Sequence, residues 1–141
     1  MFGHDRATLR AQYGAAWRKA RAGAMLSPLE QALATLIEEH PEYHALFGED
    51  DDAARRREFS PDAGQENPFL HLGLHMALRE QVATDRPAGI RRIHRRLAAR
   101  QGSPHAAEHV MMHCLGQALW EAQRSGQPPD ESRYLDCLQR L

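Results

Sequence analysis

The stretch Asn67-Pro68-Phe69-Leu70-His71-Leu72-Gly73-Leu74-His75-Met76-Ala77-Leu78-Arg79-Glu80-Gln81 decides the fold. Asn–Pro is a helix opening: the asparagine side chain can accept from the exposed first-turn amides, and proline at the first helical position lacks only an N–H that would have no partner there. Beyond it, Leu74, Leu78 and Val82 recur at four-residue spacing, which stacks them on one side of a helix together with His71 and His75. The stretch predicts a helix over 68–83 that turns two imidazoles toward its apolar side.

The same punctuation recurs along the chain, as Ser27-Pro28, Ser103-Pro104 and, more loosely, Asp85-Arg86-Pro87. Ser27 is followed three residues later by Glu30, a capping-box pattern. Gly23, Gly102 and Gly126 stand where helices should stop. Further helices are expected near 5–21, 28–39, 87–100, 104–124 and 130–140, with a short helical turn near 41–47. No segment shows the alternation of a strand. The expected architecture is all-α, a compact antiparallel bundle of about six helices. It forms a single domain over 1–141, with an irregular charged loop near 48–66, where Gly48-Glu49-Asp50-Asp51-Asp52 precedes Arg55-Arg56-Arg57.

The chain has 141 residues, 42% hydrophobic and 26% charged, which suits an ordinary globular protein able to bury a core. A formal net charge of -1 argues against a generally electrostatic nucleic-acid binder, so nucleic acid is not an expected partner. No apolar run reaches the ~18 residues of a membrane helix. Two cysteines, Cys114 and Cys137, without a CxxC or a signal peptide, read as reduced thiols of a cytoplasmic protein.

Histidine is the unusual component. Nine occur, and seven of them form four i,i+4 pairs: His40–His44, His71–His75, His105–His109 and His109–His113. Random placement at this composition gives roughly 0.6 such pairs. Residues four apart on a helix can aim two rings at one point, and neutral imidazole is a ligand for zinc, iron, copper or nickel rather than for magnesium or calcium. Helical bundles build metal centres from such inward pairs. Burying several imidazoles also costs free energy unless each finds a hydrogen bond or a cation. The bland alternative is that each ring bonds a carboxylate or a backbone carbonyl.

His71 and His75 are expected to face inward, and His109, beside Met112 and Gly116, partly so; His113 drifts toward a polar edge near Gln117. His40 precedes Pro41 and reads as a capping position, which weakens its pairing with His44. His105, in a first helical turn, reads as solvent-facing; His4 and His94 stand alone as surface or core-edge residues. The expected metal ligands are therefore His71, His75, His109, His113, His40 and His44, holding a divalent transition metal, zinc or iron. Glu39, Glu42, Glu80, Glu108 and Glu121 lie near them in sequence, and none completes an evident carboxylate motif. The pattern resembles a hemerythrin-type bundle in carrying HxxxH on one helix. It lacks the matching HxxxE and HxxxxD, so the likeness is architectural.

The second constellation is Ile90-Arg91-Arg92-Ile93-His94-Arg95-Arg96-Leu97. Its apolar residues make a buried stripe and its arginines a solvated face, or else a docking surface for an acidic partner. Aromatics for stacking bases are absent there, which ranks RNA lower. Trp17, Trp120, Met111 and Met112 read as core or helix-contact residues. Cys114 projects away from His109 on an ideal helix, which disfavours a Cys–His nucleophile.

The stretches HPEYH (40–44), NPFLHLGLHMALREQ (67–81), DRPAGI (85–90) and EHVMMHCLGQALWEAQR (108–124) resemble the bacterial family catalogued as domain of unknown function 1841, nearly end to end. The resemblance implies no activity. It does suggest that glutamate is frequent where this chain has His113, which would make that pair HxxxE-like and suited to iron; this chain departs from that pattern. The reading is a transition-metal-binding helical protein, with catalysis dependent on an open coordination position that sequence does not specify. The alternative is a non-catalytic interaction or adaptor module using the arginine-rich helix 87–100, with structural histidines. Both leave room for a protein partner or a homo-oligomer.

Overall fold

The computed structural model describes residues 6–47 and 67–141. The expected charged loop at 48–66 and His4 lie outside the described residues. Among those described there are six α-helices and no strand: α1 (Arg6–Arg21), α2 (Pro28–Glu38), α3 (Pro68–Thr84), α4 (Ile90–Gln101), α5 (Pro104–Ser125) and α6 (Glu131–Gln139), with a 3-10 turn at Pro41–Tyr43. The all-α expectation is met, and the cap-and-proline punctuation accounts for three of the six helix starts, those of α2, α3 and α5. Ser27 Oγ accepts from Glu30 N at 3.1 Å while Glu30 Oε1 accepts from Ser27 N at 2.9 Å, the reciprocal capping box. Asn67 Oδ1 accepts from the amides of Phe69 and Leu70, and Ser103 Oγ from that of Ala106. At the other ends, Gly102 and Gly126 take φ of 96° and 69°, the left-handed cap that a Cβ would disfavour.

One start differs. α4 begins at Ile90 rather than near Pro87, because Asp85 caps it from a distance. Its Oδ1 accepts from Gly89 N at 3.2 Å and Arg91 N at 3.0 Å. The carboxylate reaches past the Pro87 turn to the first free amides.

The chain divides into two compact units, 1–72 and 73–141, with α3 running continuously through the boundary. In the first, α1 packs on α2 around Trp17, Leu33, Leu36, Ile37 and Phe47. Tyr13 lies against Phe47 and Phe69, and the buried Arg10 sets its guanidinium 4.4 Å above the Phe69 ring. In the second, Leu78, Ile90, Leu97, Met111, Leu115 and Leu138 form the core, which joins α4, α5 and α6 to the larger part of α3. Gly116 is not required by crowding, since an added Cβ would meet Leu74 Cδ1 at an ordinary 3.8 Å.

Cys114 and Cys137 are joined in a disulfide, which corrects the expectation of reduced thiols. Packing of α5 on α6 brings their Cα atoms to 5.8 Å, inside the range a disulfide spans. Among the described residues, no helix is long and apolar enough to cross a membrane. Trp17, Met111 and Met112 are buried as expected, whereas Trp120 is 52% exposed beneath the Arg124 guanidinium.

Candidate metal centre

In the first unit, the end of α2 and the 3-10 turn place two histidines differently. His40 is 1% exposed, and its Nδ1–H donates to the carbonyl of Leu36 at 2.6 Å. A carbonyl only accepts, so in the neutral ring Nε2 carries the lone pair. That Nε2 lies 3.2 Å from His71 Nε2, on the first turn of α3. Two nitrogens bound to one zinc at 2.0–2.1 Å stand about 3.3 Å apart, so this separation suits either a shared cation or a single N–H···N bond. His44 is directed elsewhere: its Nε2–H donates to the Ile37 carbonyl at 2.7 Å, and its ring packs 4.6 Å from Trp17.

In the second unit, His75 is fully buried and its Nε2–H donates to Glu108 Oε1 at 2.6 Å. The same carboxylate, itself 6% exposed, receives Arg79 Nε on Oε1 at 3.0 Å and His94 Nε2 on Oε2 at 3.0 Å. Around this hub stand His105 and His109, one turn apart on α5, with ring centroids 5.1 and 5.2 Å from that of His75 and 4.3 Å from each other. Burial alone would raise the Glu108 pKa. Hydrogen bonds from His75 and Arg79, the Arg79 charge and the bond from His94 overcome it and hold the carboxyl at about 2. Burial is the main cause that lowers His75, against the pull of Glu108, so the ring is neutral and a donor.

Both shifts act in the same direction on stability. Each group binds fewer protons folded than unfolded below its ordinary value, 6.5 for the imidazole and 4.5 for the carboxyl. Stability that is complete above pH 6.5 should therefore fall as His75 is protonated in the unfolded chain. It should fall again from pH 4.5 toward 2 as Glu108 is. Thermal unfolding of metal-free protein between pH 7 and 3 reads this; a melting temperature that is level across that range would contradict the arrangement.

His71 and His75 stand one turn apart on α3, and one nitrogen from each of His40, His71, His75 and His109 lies within 4.8 Å of the others. These four imidazoles could hold a metal ion. A family profile described as Domain of unknown function (DUF1841) matches residues 5–140. The chain belongs to the DUF1841 family. Nothing among curated proteins or solved structures matches it.

Of the six histidines expected as ligands, this DUF1841 chain gathers His40, His71, His75 and His109. His113 is exposed on α5, and His44 is engaged with α2. His40, the weaker member of its pair by sequence, joins because its ring folds back on Leu36 instead of projecting along the 3-10 turn. His105 is half-buried against its neighbours rather than solvent-facing, and His94 bonds Glu108 rather than standing alone. Among the glutamates near the candidate ligands, Glu80 and Glu42 are exposed, and Glu121 accepts from Gln117 and lies near Arg133. Glu108 meets a member of the group, accepting from His75. The spacing Glu108–His109 hid this, because adjacent helix residues point about 100° apart.

Three of the five α4 arginines, Arg91, Arg96 and Arg100, donate to backbone carbonyls within the DUF1841 fold. Arg91 donates to the carbonyls of Val82 and Ala83 at the end of α3. Arg96 donates to Leu138 and Gln139 at the end of α6, and Arg100 to Leu141. Helix C-termini present carbonyls that no intrahelical amide meets, and the negative end of the helix dipole, so these cations serve as caps.

Proposed function

We propose that this DUF1841 protein binds one divalent transition-metal ion, zinc or iron, through His40, His71, His75 and His109. The observation that carries the reading is the grouping of four imidazole nitrogens within 4.8 Å of one another. Two nitrogens on one tetrahedral zinc stand about 3.3 Å apart, close to the 3.2 Å between His40 Nε2 and His71 Nε2. The donor set is all nitrogen, which suits zinc, iron, copper or nickel and disfavours magnesium and calcium. His40 supports it further, because its Nδ1–H bond to Leu36 fixes the tautomer that offers Nε2, the usual outer support of a ligating histidine. A bound ion would supply a structural tie or Lewis acidity according to whether a coordination position stays open.

Elemental analysis of untagged protein is the direct test. Near-stoichiometric zinc or iron is expected in the wild type and its loss in the His71→Ala/His75→Ala variant. Wild-type protein that takes up neither zinc nor iron(II) on titration would overturn the proposal.

A further inference from the structure

We propose that Glu108 is a positioning residue for His75 as a metal ligand, committing that ring to bind the ion through Nδ1. The inference rests on the metal-binding reading and assigns a role to the buried carboxylate beside the four-histidine group. Glu108 can only accept, and it lies 2.6 Å from His75 Nε2, so the proton of the neutral ring sits on that nitrogen and the lone pair on Nδ1. His40 is the converse case, its proton held on Nδ1 by the Leu36 carbonyl. The carboxylate is itself held in place by Arg79 from α3 and His94 from α4, so its two oxygens cannot swing away from the ring. A carboxylate behind a ligating imidazole raises the basicity of the ring and fixes its plane. Arg79 balances the charge that would otherwise be buried.

A hub of this kind could also serve packing alone, so the test reads coordination as well as stability. Zinc affinity is measured by chelator competition on wild type, Glu108→Gln and Glu108→Asp, with helicity checked for each. Long-range imidazole 15N–1H NMR spectra of metal-free and zinc-loaded wild type identify the protonated nitrogen of His75. Expected are an about 10- to 100-fold weaker affinity in Glu108→Gln, partial recovery in Glu108→Asp, and His75 protonated at Nε2 in both wild-type states. If Glu108→Gln does not fold, the wild-type spectra still decide. Zinc bound at His75 Nε2, or an unchanged affinity in a folded Glu108→Gln, overturns the role of Glu108 and leaves the metal site standing. Wild type that binds neither zinc nor iron(II) removes the metal reading itself, and this inference with it.

Discussion

Replacing Glu108 by alanine should lower the stability of the metal-free protein by about 3 kcal/mol. Three donors converge on this one carboxylate. Their fates after its removal differ. The Arg79 side chain is 30% exposed and can turn to water, and His94 at 16% can do so in part. The His75 side chain is 0% exposed, so its Nε2–H would lose its acceptor where no solvent replaces it. The cost therefore falls mainly on His75 and on the void left by the deleted side chain. Urea unfolding at neutral pH, with the helical signal as the probe, measures it. A loss below about 1 kcal/mol would mean that His75 finds a second acceptor on relaxation.

Reduction of the Cys114–Cys137 bond should cost a comparable amount. The bond closes a loop across a sequence separation of 23, for which chain entropy alone gives about 3 kcal/mol at room temperature. Reduction is a cleaner perturbation than mutation here, because Cys114 is buried and serine in its place would add a polar group to the core. The expected result is a lower urea midpoint with reductant than without, and intact mass of alkylated protein showing no free thiol before reduction. Thiols that alkylate in the untreated protein, or midpoints that coincide, would refute the staple.

Much of the helix pattern could be read from the chain because the signals are local. Ser27, Asn67 and Ser103 each cap within three residues of themselves, and a local rule suffices for them. The start of α4 escaped that rule because Asp85 acts across six residues, through a turn whose course depends on Pro87 and Gly89. The disulfide escaped because the separation of Cys114 and Cys137 in space is set by how α5 and α6 pack, which spacing in sequence does not encode. At the site, helix periodicity was sufficient for His71 and His75, which share one helix. It was insufficient for His40, whose ring returns to the preceding helix, and for Glu108, whose partners come from α3 and α4. The arginine run was legible as charge but not as capping, since the acceptors of Arg96 and Arg100 lie at the end of α6, remote in sequence, and those of Arg91 at the end of the preceding helix.

The two pinned rings also bear on the thermodynamics of ligand capture. Immobilising a side chain on binding costs about 0.5–1.5 kcal/mol, and that ordering is normally set against the gain from new bonds. For His40 and His75 it has already occurred during folding, through Leu36 and Glu108. In the proposed centre, preorganisation of this kind would leave the remaining entropic demand to His71 and His109, the half-buried pair. If an ion binds there, its affinity would depend on the carbonyl and carboxylate behind the rings as well as on the nitrogens that face it.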